Sequence, residues 1–209
     1  TPEALFGRAV TMGEVSTISY WTKKDSTHAV SSGDWYLNVY TKPFTGDVST
    51  PTWYGGRYGT EPYYSDNLNA PAGAWNQWTT DPTDALNTLR FFESTQGAPG
   101  ANFGSYTDPD WATLVADNGL GLLTSRANQE ILFFSPQTAS AWAAGFTGQI
   151  DGLRIQLTDG SVGNINFEPF MVADNRDACK KGGWASLFRA DGSSFGNQGD
   201  CVSYVNTGQ

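Results

Sequence analysis

With 209 residues and a net charge of −9, the chain is the size of one domain, or one domain with an appendage. Its five lysines stand at 23, 24, 42, 180 and 181, so there is no basic stripe for nucleic acid or an anionic membrane, and no apolar run nears the ~20 residues of a spanning helix. Charged residues make up 16%, aromatics 14%, and 24 residues are glycine, a composition that favours strands and turns.

A start at Thr1 rather than Met fits a removed signal peptide. The first segment, TPEALFGRAVTMGE, reads as loose and free to pair with a neighbour's sheet edge. Strand-like alternation begins at Val15 to Lys24. It recurs at Asp34 to Lys42, with Trp35, Leu37 and Val39 on one face and Tyr36, Asn38 and Tyr40 on the other. Further strands are expected over Thr52 to Tyr58, Gly73 to Thr79, Thr88 to Glu93 and Glu130 to Ser135. One short helix is expected in DPDWATLVADNG, with Asp108 as N-cap, Pro109 at the first position and Trp111, Leu114 and Val115 on the buried face. The clearest hairpin is GLRIQLTDGSVGNINFEPF, where Leu153, Ile155 and Leu157 lead to Asp159-Gly160 and Val162, Ile165 and Phe167 return. A shift near Asp174 to Asp177 divides a β-sandwich domain, 1–173, from a C-terminal element, 174–209.

Cys179 and Cys201 are either free thiols or a disulfide; closing a loop of ~20 residues would stabilise by roughly 3 kcal/mol, in an oxidising compartment. The only histidine, His28, lies in a polar turn with no nucleophile elbow, which gives neither a catalytic triad nor a zinc site. Acids are concentrated in turns; Glu93, Asp151 and Glu168 lie on strands and Glu130 just before one. An enzymatic centre would be Tyr58 as base and Arg57 as neutraliser beside Glu61. At Asp66, Asn67 and Asn69, and at Asp151, turn-forming Asx residues bonding their own backbone are the leading reading, and calcium, held by their oxygen ligands, is the cofactor weighed against it.

Three segments together resemble a family of secreted bacterial β-sandwich domains. They are VSTISYWTKKDST with DWYLNVYTKP; GRYGTEPYY with AGAWNQW; and FTGQIDGLRIQLTDGSVGNINFEPF. The resemblance covers Val15 to Phe170 and rests on Glu61-Pro62-Tyr63, on Gly73 with Trp75 and Trp78, on Phe146 to Ile155, and on Phe167-Glu168-Pro169. It implies an all-β jelly-roll sandwich related to concanavalin A-type lectins and carbohydrate-binding modules. The tail resembles a second recurrent element, CKxGGW…NQGxCVSYV, matched here from Cys179 through Gly182, Gly183, Trp184, Asn197, Gln198 and Gly199 to Cys201 and Tyr204.

The functional expectation is a secreted, non-catalytic glycan-binding or adhesion domain. Its contacts with a polysaccharide or cell-surface glycan would be Trp53, Tyr54, Arg57, Tyr63, Tyr64 and Asp66. A structural subunit of an extracellular matrix, surface layer or filament, and a polysaccharide-degrading hydrolase or lyase, are the alternatives. Because residues i and i+3 of a strand face opposite ways, Trp75 and Trp78 cannot share one platform and are assigned to the fold. By the same alternation, one member each of Trp53-Tyr54 and Tyr63-Tyr64 is expected in the core.

Overall fold

A computed structural model describes residues 1–28, 33–43, 53–65, 70–84, 87–98, 101–102, 104–117, 125–138, 146–167, 171–189 and 193–207. The strands are β1 (Val15–Lys24), β2 (Tyr36–Thr41), β3 (Arg57–Thr60), β4 (Asn76–Thr79), β5 (Phe92–Glu93), β6 (Ile131–Gln137), β7 (Gly148–Leu157), β8 (Val162–Ile165), β9 (Met171–Val172) and β10 (Leu187–Phe188). The helices are α1 (Pro2–Phe6), α2 (Trp111–Ala116) and α3 (Gln198–Thr207). The chain divides into two compact units, Thr1–Asn166 and Phe167–Gln209.

The first unit holds two antiparallel four-stranded sheets, ordered β4-β1-β7-β8 and β5-β3-β2-β6. Alternation along each strand sends one set of side chains into a shared core. Ile18, Tyr20, Trp78, Leu153, Ile155 and Leu157 come from one sheet, and Leu37, Val39, Tyr58 and Ile131 from the other. The architecture is therefore mostly β with few helices, as the composition implied. The β7–β8 hairpin pairs Leu153 with Ile165 and Gln156 with Val162, and Gly160 turns it at a φ of +88°, where a side chain would be strained.

Four expectations are corrected. The N-terminal segment is not loose: α1 packs Leu5 and Phe6 on the core, Val10 and Met12 are buried, and Val10 O accepts from Ile131 N at 2.8 Å. Helix α2 is capped by Asp110, whose carboxylate accepts from Thr113 N at 2.7 Å, not by Asp108. The reason is a contact from a distant segment: Asp108 O accepts from Arg90 Nη1 at 3.1 Å and Pro109 O from Phe91 N at 2.8 Å, so the first carbonyl free to start the helix is that of Asp110. The single expected helix is joined by α1 and α3. Trp78 is 1% exposed and belongs to the core, whereas Trp75, three residues earlier, is 43% exposed and is not part of it.

In the second unit Cys179 and Cys201 form a disulfide with a Cα–Cα distance of 5.8 Å. Ala173, Leu187 and Phe195 pack around it, and Arg189 lies 4.6 Å over the Phe195 ring while pairing with Asp200 at 2.6 Å. The Asn197 amide oxygen accepts from Asp200 N at 2.9 Å and caps the entry to α3. The bridge is consistent with a non-cytoplasmic location. Among the described residues no helix is long and apolar enough to cross a membrane.

Candidate functional site

In β2 the side chains of Leu37 and Val39 enter the core, so Tyr36, Asn38 and Tyr40 stand on the outer face of their sheet. Their neighbours on β6 are Gln137, Ser135 and Phe133. A register shift between Tyr40 and Thr41 lets Ile131 face inward while Phe133, two residues on, faces outward. On the other flank β3 sets Arg57 opposite Tyr40 and Gly59 opposite Asn38. The Phe92 ring lies over Gly59, where a Cβ would meet it at 2.7 Å. Glycine is what lets that ring close over the strand.

The polar half of this face is organised by one amide. Gln137 Oε1 accepts from Tyr36 OH and from Asn38 Nδ2, each at 2.9 Å. Its Nε2 donates to Ser135 Oγ at 2.9 Å and reaches Tyr40 OH at 3.5 Å. Four side chains from two strands are thus fixed in orientation; Asn38 and Tyr40 are buried, so the half-buried Tyr36, Ser135 and Gln137 are the polar groups that a ligand hydroxyl can meet.

The apolar half is a pile of rings. Tyr40 lies 4.7 Å from Phe133 and 5.4 Å from Trp53, and the Trp53 and Phe133 planes are within 5° of parallel. Trp53 is 52% exposed, whereas Tyr54 is 2% exposed, wedged edge-on against both Trp53 and Tyr40, with its hydroxyl accepting from Gln96 N at 3.2 Å. One member of that pair meets solvent and the other braces it. Tyr63 and Tyr64 are both half-buried, because they occupy a 3-10 turn (Pro62–Tyr64) rather than a strand. They form a second ring group with Tyr106, at 5.8 and 5.4 Å. Arg57 is anchored to Ser94, donating from Nε to its carbonyl at 3.0 Å and from Nη2 at 2.6 Å.

Glu61 leaves β3 beside this face. Burial pushes its carboxyl up to about 7, and its charge in turn helps raise the Tyr36 and Tyr64 phenols. Thr60 and Ser65, on either side of it, bury hydroxyls that find no partner.

The remaining expected site residues fall elsewhere. Asp66, Asn67 and Asn69 lie outside the described residues, as does Glu168. Asp151 sits on β7 opposite Trp21 and accepts from Gly152 N at 2.6 Å. Among the described residues no three His, Cys, Asp or Glu side chains come together as metal ligands. The centre imagined around Tyr58 is not assembled. Strand alternation turns Tyr58 inward, opposite to Arg57; its hydroxyl donates to Gln129 Oε1 at 2.8 Å, and burial raises its pKa. Glu93 is committed to the interior, paired with Arg126 at 2.7 Å; Glu130 pairs with Lys42 at the surface.

Gln137, Tyr36, Asn38, Tyr40, Ser135 and Phe133 are absent from the sequence-based site. The alternation of Tyr36, Asn38 and Tyr40 was legible as a polar face, but Gln137 lay beyond the expected end of its strand. Against known proteins the chain matches no family model, no curated protein and no solved structure.

Proposed function

We propose that the chain is a secreted, non-catalytic glycan-binding or adhesion domain of the jelly-roll class, with its binding platform on the outer face of the β5-β3-β2-β6 sheet. The observation that carries this reading is the Gln137 network, holding Tyr36, Asn38, Tyr40 and Ser135 directly beside the stacked Trp53, Tyr40 and Phe133 rings. A sugar ring offers one apolar face and a rim of hydroxyls. It is held by a flat aromatic surface next to donors and acceptors whose directions are already fixed. Trp53 supplies the accessible ring; Gln137 sets the polar pattern. Two facing antiparallel sheets with one core agree with the jelly-roll resemblance, and the disulfide agrees with secretion.

The test is affinity electrophoresis and glycan-array binding of the wild type, Trp53→Ala and Gln137→Ala. Each variant is expected to lose about tenfold in affinity, the equivalent of one well-made contact of about 1.4 kcal/mol. Trp53→Ala should leave thermal unfolding little changed, whereas Gln137→Ala, which strands the buried Asn38 amide, should cost about 1–3 kcal/mol of stability as well. Retention identical to wild type in both variants would remove the platform from this face.

A further inference from the structure

A second concavity opens where the two sheets of the first unit part. At the end of β1, Lys24 pairs with Gly148 and Lys23 with Gln149, and across the gap Trp35 immediately precedes β2 of the other sheet. Alternation with Leu37 and Val39 turns Trp35 toward the space between the sheets, as it turns Lys24, following Tyr20 and Thr22. The result is a cleft of about 760 Å³, lined by Lys23, Lys24, Asp25, Trp35, Phe146 and Gln149 among others. That is within the ~300–1,000 Å³ typical of small-molecule sites.

The rim is built, not incidental. Asp25 N donates to Thr147 O at 3.1 Å, and Thr147 N donates to His28 Nε2 at 2.9 Å. The His28 ring stacks on Phe146 at 5.4 Å. Gly73 N ties a third segment to Lys24 O at 2.8 Å. The loop after β1 and the entry to β7 are thereby locked together around the opening.

The charged groups of the lining are Lys23, Lys24 and Asp25. Lys23 acts on Asp25, and Lys24 on the buried Asp34, whose carboxylate accepts from Thr22 Oγ1 at 2.7 Å and Trp35 N at 2.7 Å. Each lysine thus has a carboxylate within electrostatic reach, Asp25 in the lining itself and Asp34 buried behind it, so neither stands as an isolated cation waiting for an anion. The lining presents donors and acceptors side by side, between two aromatic walls. A hydroxyl, which both donates and accepts, is the group that uses such an arrangement fully. Trp35, part of this lining, also keeps a buried indole N–H without a partner, a donor left unmet at the wall of the cleft.

We propose that this cleft is a second ligand site, separate from the sheet platform, that takes a neutral pyranose ring such as the end of a glycan chain. It does not depend on the platform being a binding site.

The experiment is titration of the ¹⁵N-labelled chain with D-glucose, D-galactose and D-mannose, and in parallel with sodium D-glucuronate, following the Trp35 indole and Gln149 amide signals. At least one neutral sugar is expected to shift both signals saturably. The shift should persist in Trp53→Ala, which leaves the cleft intact, and so is separable from any failure of the platform. In Ser26→Trp, which fills the exposed rim, and in Lys24→Gln the affinity should fall about tenfold or more; should Lys24→Gln fail to fold, the rim variant alone decides. No shift with any neutral sugar, a response to glucuronate alone, or an unchanged response in Ser26→Trp overturns the proposal.

Discussion

The two units of the chain are held together by different means. In Thr1–Asn166 two sheets bury a large cluster that includes Trp78, Tyr20, Tyr58 and Phe91, each 1% exposed or less. In Phe167–Gln209 the buried set among the described residues is Ala173, Cys179, Leu187, Phe195 and Cys201, so two of its five members are the bridge itself. Chains of roughly forty residues rarely bury enough surface to hold themselves, and a covalent link makes up the difference. One unit should thus fail by losing packing and the other by losing a bond.

The largest effect is expected in the sandwich. Trp78 fills the core and donates from Nε1 to Thr22 Oγ1 at 2.7 Å, and Thr22 in turn donates to Asp34 at 2.7 Å. Trp78→Ala removes the ring and leaves the buried Thr22 hydroxyl without its donor, while Asp34 keeps Thr22 Oγ1 and Trp35 N. A loss of about 3–5 kcal/mol follows, read from the midpoint of urea unfolding by intrinsic fluorescence. Next comes the bridge. Cys201→Ser should destabilise the second unit by roughly 3 kcal/mol and shorten its amide-exchange lifetimes, while amides of β1, β2 and β7 keep theirs. Equal loss of protection in both units would erase the distinction drawn between them.

How much of this was legible in the sequence follows the range of the interactions. The β7–β8 hairpin and the alternation of β1 and β2 are local patterns, and they read directly from residues such as Leu153, Ile155 and Leu157. Helix α2 was legible as a helix but mis-capped, since the competitor for Pro109 O is Phe91, which strand-and-turn rules do not bring there. The platform was half visible. Trp53 stood out as an aromatic near turns, yet its function-bearing surroundings depend on Gln137, a hundred residues from Tyr36, and on a bulge that reverses the facing of Phe133. Register between distant strands and the position of a bulge are set by global packing, and no window of the sequence encodes them.

The smallest expected effect probes the boundary between the core and the platform, at Glu61. Its carboxyl, stripped of water by the rings around it, titrates near 7 rather than at the ordinary 4.5. The folded state therefore holds a proton that the unfolded chain has already released. Glu61 supports folding fully below about pH 4.5, and that contribution drains away as the pH rises through about 7. Glu61→Gln keeps the shape and removes the titration. Relative to wild type the variant should gain stability between pH 5 and pH 8, by up to roughly 2 kcal/mol once the partial exposure of the carboxyl is discounted. Other titrating groups, Asp34 and Asp108 among them, are common to both proteins and cancel in the difference. Urea unfolding at the two pH values measures it. A difference that does not change with pH would place the Glu61 carboxylate in water, and the polar flank of the platform with it.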